Sequence, residues 1–223
     1  MRKTAKKTAK KIAKKPYTRS KRNPAAGERF ATSYPIATNQ RVLLRYNDYN
    51  KLTSTAGSSA TQQFRMNSCY DTDYTYLGHQ PYGWDQISAL YNYYCVVKFT
   101  IVLRYTALSN AMRVVIEPRF NNSSITADLQ AVMERNKSLN FIAVPNETGY
   151  KKYTCYLPNL AGYPSMDIYK QNCGAVPSGN PTVMSWLTLH CQTMDVSTTG
   201  SLLFDYEIHF DTTFEQPLQL AQS

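Results

Sequence analysis

Apolar and polar side chains alternate with a period of two along most of the chain, the pattern of half-buried β-strands. It is clearest in the middle of the sequence, where Phe99, Ile101 and Leu103 share one face. Lys98 and Arg104 share the other face. Eight segments are predicted as strands: 41–46, 63–67, 95–105, 112–120, 139–144, 150–157, 183–193 and 201–214.

The same alternation assigns each strand an inner and an outer face. In the second strand Phe64 and Met66 are predicted to be buried, with polar neighbours such as Gln63 facing solvent. In the fourth strand, Glu117 and Arg119 fall on the polar side and are likewise expected to be solvated.

Helical spacing occurs in two short stretches between strands, 84–91 and 128–133. The short turn Asp195 to Gly200 predicts a β-hairpin between the last two strands. The connection 158–181 contains four prolines and three glycines. A loop of this length without structure of its own is usually functional or makes contacts.

Eight antiparallel strands with few helices predict an all-β fold, a two-sheet antiparallel sandwich of the jelly-roll kind with short helices in its loops. We expect a single domain over 41–223, preceded by a linker over 23–40 that contains Pro, Ala and Thr.

Charge separates the first 22 residues from the rest. They hold eleven Lys and Arg and no Asp or Glu, whereas the remaining chain holds 14 basic against 15 acidic residues. The whole excess of +10 is therefore carried by this basic arm, which predicts a polyanionic partner, nucleic acid. The predicted nucleic-acid-binding residues are Arg2, Lys3, Lys6, Lys7, Lys10, Lys11, Lys14, Lys15, Arg19, Lys21 and Arg22.

The arm repeats a Lys-Thr-Ala-Lys unit and has almost nothing to bury, so we expect it to be disordered until phosphates neutralise it. Contacts from all eleven cations to single-stranded nucleic acid would give a slope of log affinity on log salt of roughly −8. Residues 19–22 also suit recognition by nuclear import receptors. A purely solubilising tail is the alternative.

Targeting and membrane segments are not indicated. No apolar stretch follows the charges as in a secretory signal, and the Lys-rich arm differs from an Arg-rich mitochondrial presequence. A polybasic membrane anchor lacks the lipidation motif or apolar face that would complete it. No apolar run approaches membrane-spanning length, so membrane insertion is not expected.

Candidate catalytic or metal-binding residues are few. The row Asp205, Glu207, His209 and Asp211 on one face of the last strand has suitable spacing, but such a row is typical of the solvated or interfacial face of a strand. No hydrolase, metalloprotease or nucleotide-binding motif accompanies the three histidines. We therefore predict neither an enzyme nor a metal or cofactor.

Two further groups have structural interpretations. Asp71 and Asp73 suit a calcium ion at a subunit contact, although capping of their own turn is the more favoured interpretation. The five cysteines have no metal-ligand spacing and are predicted to be mostly buried and reduced. The 18 tyrosines, concentrated in 70–94, predict extensive protein interfaces.

The Tyr-rich segment 70–94 resembles capsid proteins of circular, Rep-encoding single-stranded DNA viruses, the circovirus-like group. The resemblance rests on Gly-His-Gln-Pro-Tyr-Gly-Trp-Asp-Gln at 78–86, the helix that follows, and Tyr-Asn-Tyr-Tyr at 91–94. It is strong over about 25 residues. The basic N-terminus and the eight-strand plan extend it loosely over the chain.

This resemblance implies a homo-oligomeric shell of 60 copies with T=1 icosahedral symmetry around single-stranded DNA. The arm would lie inside, and nuclear import receptors and a host attachment factor would be further partners. The expected locations are the virion and, during assembly, the host nucleus. Many relatives have Arg-rich arms, whereas this arm is Lys-rich, which keeps charge neutralisation but loses bidentate phosphate contacts.

Three other functions stay open at this point. They are the coat protein of a small RNA virus, a cellular jelly-roll binding module with a chromatin-tethering tail, and a hydrolase on the same scaffold. A long genome would also require cations beyond the arm. The strand arginines whose direction the sequence leaves open are Arg41, Arg45, Arg65, Arg104, Arg113 and Arg119.

Overall fold

A computed structural model describes residues 36–126 and 128–218. The predicted arm over 1–22 and most of the predicted linker lie outside these residues. Within the described chain the strands are β1 (Asn39–Ser54), β2 (Ala60–Arg65), β3 (Tyr91–Ala107), β4 (Met112–Phe120), β5 (Leu139–Ala143), β6 (Gly149–Tyr156), β7 (Ser185–Thr193) and β8 (Gly200–Pro217). The helices are α1 (Trp84–Ser88), α2 (Leu129–Met133), α3 (Leu157–Ala161) and α4 (Met166–Cys173).

The strands form two four-stranded antiparallel sheets. Sheet A has the order β1-β8-β3-β6 and sheet B the order β2-β7-β4-β5. Strands that follow one another in the chain mostly lie in different sheets, and the first and last strands, β1 and β8, pair with each other. This is the arrangement of two interlocked Greek keys. The predicted jelly roll is confirmed.

The core fills the space between the sheets. The apolar face of β3 is almost completely buried, as the alternation predicted, at Phe99, Ile101 and Leu103. From β8, Ile208 and Phe210 reach the same layer, and the rings of Phe99 and Phe210 meet edge to face at 5.5 Å between centroids. This aromatic and aliphatic layer joins the two sheets.

The predicted hairpin at Asp195 to Gly200 is wrong. β7 pairs with β2 and β4 in sheet B, whereas β8 pairs with β1 and β3 in sheet A. The turn therefore crosses from one sheet to the other. A short connection shows that two strands are close in the chain, and it does not specify that they pair.

The connection 158–181 has more structure than predicted, since it carries part of α3 and all of α4. Ser165 caps α4 by accepting a hydrogen bond from the amide of Ile168. The fully buried Tyr169 donates to the carbonyl of Val96 at 2.8 Å. This anchors α4 to a bulge in β3, where the register shifts between Val96 and Lys98.

The two predicted helices are both present, but the first is shorter than expected. α1 ends at Ser88, and Tyr91 and Tyr94 belong to β3 rather than to a helical stripe. None of the helices in the described residues is long and apolar enough to cross a membrane.

The predicted solvent side of sheet B is in fact buried. Gln63, Glu117 and Arg119 are all less than 7% exposed. The β4–β5 connection lies over this face: the carbonyl of Ser123 accepts from Gln63 at 2.9 Å, and α2 packs on Val115. The strand pattern identified which residues share this face, but the covering segment is distant from them in sequence.

The β2–β3 connection, which contains the segment 70–94 up to β3, closes the side of the sandwich between the edge strands β1 and β2. It forms one isolated bridge to β2, between Phe64 and Asp73, and another to β1, between Arg45 and Tyr82. Edge strands left open invite pairing with other chains, so this connection protects that edge.

Candidate functional site

The eleven predicted nucleic-acid-binding residues of the arm all lie outside the described residues, and their role stays a prediction. What the structure describes is the folded domain on which the other candidate residues sit. They fall into four groups: the acidic row of β8, the anchored loop after β2, a buried ionic cluster in sheet B, and the strand arginines.

The acidic row of β8 lies on the outer face of sheet A between two basic strands. The carboxylate of Asp211 accepts from Nε and Nη2 of Arg41, each at 2.5 Å, and Nζ of Lys98 is 3.7 Å away. Hydrogen bonds from Arg41 hold the pKa of Asp211 below its ordinary value against the opposing effect of burial. Asp211 is therefore an ionised partner for cations from both neighbouring strands.

Glu207 is also ion-paired. Nε of Arg45 approaches its Oε1 at 2.7 Å, His209 Nε2 lies 2.6 Å from the same oxygen, and Arg104 is 4.0 Å from Oε2. Burial would raise the pKa of Glu207, but the hydrogen bonds from Arg45 and His209 lower it overall. These cross-strand pairs support the interpretation of the row as a polar strand face. Over 36–126 and 128–218 no three His, Cys, Asp or Glu side chains cluster as a metal site.

Asp73 caps its own turn, as predicted. Its Oδ1 accepts from the amides of Thr75 at 3.0 Å and Tyr76 at 3.1 Å. Its Oδ2 accepts from Gln62 at 2.5 Å and from the hydroxyl of Tyr206 at 3.0 Å. Asp73 is 2% exposed, and burial raises its pKa.

Asp71 has a different partner. It forms an ion pair with Arg65, which also stacks over the ring of Tyr74 at 4.7 Å. The two carboxylates of this loop therefore serve separate structural contacts, and the structure does not bring them together as ligands for one calcium ion.

The segment 78–86 is fixed to the domain at two points. The ring of His79 stacks on Tyr46 at 4.3 Å, and the buried Trp84 packs edge to face on Tyr94 at 4.8 Å. Gly83, at φ 81°, is the left-handed N-cap residue of α1. Asp85 lies in the first turn, where its negative charge interacts favourably with the helix dipole.

The same connection exposes large side chains before His79 and between His79 and Trp84. Tyr82 is 93% exposed, Leu77 is fully exposed, and Tyr74 and Tyr76 are about half exposed. A rigid base with projecting aromatic side chains is typical of a protein contact surface.

A buried ionic cluster in sheet B was not predicted. Glu117 and His190 are both completely buried, and Oε2 of Glu117 lies 2.9 Å from Nε2 of His190. Arg135 forms a close ion pair with Oε1 of Glu117, and Nε of Arg119 lies 3.5 Å from Oε2. Nothing local in the sequence distinguishes Glu117 from a solvated strand residue, because its cover comes from the β4–β5 connection.

The strand arginines divide between the two sheets. Arg41, Arg45 and Arg104 project from the outer face of sheet A, with 57–66% of each side chain exposed. Arg65 and Arg119 lie on the other side of the molecule, where Asp71 and Glu117 pair with them. The five cysteines are free and buried, as predicted.

Comparisons with known proteins concern the fold. No protein-family model matches the chain, and no curated protein matches it. Among solved structures it is similar to that of Desmodium yellow mottle tymovirus, at 16% identity over 85% of this chain and 96% of the other, with a TM-score of 0.43.

Two further structures show similar values. The picornavirus capsid of equine rhinitis A virus is 12% identical over 99% of this chain and 94% of the other, with a TM-score of 0.44. Cocksfoot mottle virus is 11% identical over 80% of this chain and 97% of the other, with a TM-score of 0.46.

Proposed function

We propose that this chain is the capsid protein of a circular single-stranded DNA virus. Copies of it assemble into a small icosahedral shell, and the basic arm over 1–22 gathers the genome. The observation that carries the proposal is the combination of a jelly-roll domain with almost no net charge and an arm that holds the whole positive excess. The segment 78–86, with its resemblance to such capsid proteins, supports the choice of a DNA genome.

Self-association is supported by the surface of the domain. Tyr74, Tyr76, Leu77 and Tyr82 project from a connection that Asp73 holds in place. Because aromatic side chains on a fixed backbone lose little entropy on contact, such positions are favourable anchors between subunits. Because the domain is almost neutral, copies of it can also approach closely with little electrostatic repulsion.

The arm supplies the interaction with the genome. Lysine ammonium groups neutralise phosphates as point charges, and the resulting affinity depends steeply on salt and little on sequence. We propose that the same arm, through Arg19 to Arg22, is read by nuclear import receptors before assembly. The protein then belongs in the virion and, transiently, in the host nucleus.

Deletion of residues 1–22 tests the arm. We expect the shortened chain to fold and assemble, because the sandwich core lies within the described domain, while its particles lose most nucleic acid. Sedimentation followed by the absorbance ratio at 260 and 280 nm measures both. The matched control replaces every arm lysine by arginine, which keeps the charge and should keep packaging. Normal packaging by the deletion variant would contradict the proposal.

The coat protein of an RNA virus is the competing structural function, since phosphates are common to both polymers. Nucleic acid extracted from nuclease-treated particles distinguishes them: destruction by DNase supports the proposal, and destruction by RNase alone overturns the choice of genome. A preparation that forms no shells at any salt or pH would favour a cellular binding module instead.

A further inference from the structure

The outer face of sheet A combines cations, hydroxyls and tyrosines in regular rows. Each row crosses the sheet in the order β1, β8, β3, β6, and the register places Lys98 opposite Tyr156 and Arg104 opposite Tyr150. Between them the hydroxyls of Thr100 and Thr154 lie 3.1 Å apart. We use the name basic face for the outward-facing side chains of the four strands of sheet A, β1, β8, β3 and β6.

Positive charge is concentrated on this face. Its cations are Arg41, Arg45, Lys51, Lys98, Arg104 and Lys152. They stand against three carboxylates on β8, an excess of three positive charges with His209 neutral. Glu215, two positions beyond Asp211 on the same face of β8, is paired with Lys170 of α4. The rest of the described chain holds seven cations and eleven carboxylates, so the near-neutral domain is polarised.

The carboxylates of β8 hold the cations in place but leave part of their hydrogen-bonding capacity free for a ligand. Arg41 uses Nε and Nη2 on Asp211, which leaves its other N–H groups directed to solvent. Arg104 is 4.0 Å from Glu207 and 57% of its side chain is exposed. A long, exposed pair such as Arg104–Glu207 contributes only about 0–1 kcal/mol, so a phosphate can compete for the cation.

Exposed tyrosines accompany the cations along β6. Tyr150 and Tyr156 are 59% and 40% exposed, and Lys152 lies between them on the same side of the strand. Proteins that bind single strands combine a positive surface for the backbone with aromatic rings on which bases stack. The alternation of a cation with exposed tyrosines on one side of β6 matches this combination.

We propose that the basic face is a second contact surface for single-stranded DNA, built into the folded domain and separate from the arm. Phosphates lie along Lys98, Arg104 and Lys152, and unpaired bases stack on Tyr150 and Tyr156. The identity of the polymer rests on the proposed packaging function, whereas the surface itself rests on the charges and register described. It also supplies the cations beyond the arm that a long genome requires.

Photo-cross-linking of the full chain tests the location. The probe is a single-stranded oligodeoxynucleotide that carries 5-iododeoxyuridine, and mass spectrometry identifies the modified residues. We expect cross-links at Tyr150 and Tyr156 in addition to those in the arm. Cross-links confined to the arm, or to Tyr74 and Tyr82 on the β2–β3 connection, would overturn the proposal.

A pair of charge-matched variants tests the energetics in the full chain. Arg104→Gln with Lys152→Gln removes two cations from the basic face, and Arg113→Gln with Lys137→Gln removes one Arg and one Lys elsewhere. On single strands each lost phosphate contact lowers the salt slope by about 0.7, so the first pair should lower it by about 1.4. The control pair should leave it unchanged.

The outcomes separate this proposal from the proposed function. If the two double variants have equal salt slopes and still bind DNA, the basic-face proposal is contradicted while the proposed packaging function stands. Absence of binding by the unmodified chain contradicts packaging itself. A basic-face pair that binds DNA normally but no longer assembles would assign this face to a second copy of the chain, and would also overturn the proposal.

Discussion

Glu117 is a carboxylate with no exposed surface, and its charge is tolerated because three basic side chains surround it. His190 is an equally buried neighbour at 2.9 Å, Arg119 is 6% exposed, and Arg135 reaches in from the β4–β5 connection. A buried pair of this kind adds little net stability when complete, but removal of one partner leaves uncompensated charge.

Glu117→Gln should therefore be strongly destabilising. We expect a loss of about 3–5 kcal/mol in the free energy of unfolding, because Arg119 remains buried without its counter-charge. Urea denaturation measures this. The control Glu134→Gln, at an exposed position nearby, should change stability by less than about 0.5 kcal/mol. Similar values for the two variants would contradict this role for Glu117.

The same residue predicts how stability varies with pH. Burial would raise the pKa of Glu117, but hydrogen bonds from His190 and Arg135 and the charge of Arg119 lower it below the ordinary value of 4.5. A carboxyl with a depressed folded pKa stabilises the fold above its unfolded pKa, and this is lost as pH falls through the folded value. Between pH 6 and 3 the wild type should lose more stability than Glu117→Gln, as measured by urea midpoints.

Gly149, at the start of β6, has no room for a side chain. An added Cβ would collide with the ring of Tyr105 across the sheet. Gly149→Ala should cost about 1–3 kcal/mol through overpacking. At Gly179 the nearest atom to an added Cβ is 3.9 Å away, so Gly179→Ala is the matched control and should be nearly neutral. Thermal denaturation of both variants decides the point.

Among the elements, the β2–β3 connection depends most on a single side chain. All four hydrogen bonds at Asp73 are accepted by its oxygens, from Gln62, Thr75, Tyr76 and Tyr206. An asparagine amide, whichever way it is turned, directs its NH2 group at two of these donors. The exposed tyrosines that follow would then lose their fixed base.

Asp73→Asn should loosen this connection while the sheets stay folded. A cost of about 1–3 kcal/mol for an unmatched buried donor corresponds to an acceleration of amide hydrogen exchange at Thr75 and Tyr76 of roughly fivefold to 150-fold. Asp71→Asn, at an ion pair that is partly exposed, is the control and should leave those amides protected. Unchanged exchange in Asp73→Asn would show that the loop is held by other contacts.

Strands were predictable from sequence because period-two alternation is a local property, as at Phe99, Ile101 and Leu103. The cover over Glu117 was not, since alternation groups residues by face without showing what packs on that face. The pairing of β8 with β1 was likewise invisible, because it joins segments at opposite ends of the domain. The arm stays a prediction from charge alone, whereas the proposed basic face needed the register of four strands.

For the molecule as a whole, the reactivity of the cysteine thiols shows whether the domain is folded. All five are buried, and burial raises the pKa of Cys69 and of Cys191 to about 12 and that of Cys173 to about 11. Thiolate formation is thus suppressed in the folded domain.

We expect the native thiols to react with Ellman's reagent only as fast as the domain unfolds, with five equivalents released in denaturant. Reducing agent should leave the melting temperature unchanged, since no disulfide contributes to the fold. Rapid reaction of one or more thiols without denaturant would contradict the predicted packing of the core.

The position of β8 also bears on synthesis. It lies between β1 and β3, so the two earlier strands have no direct pairing with each other and must wait for the last strand. At ordinary translation rates that wait is on the order of ten to thirty seconds. A chain that stops before Gly200 leaves sheet A without its central partner and cannot fold, so only chains translated through β8 are competent for the proposed assembly.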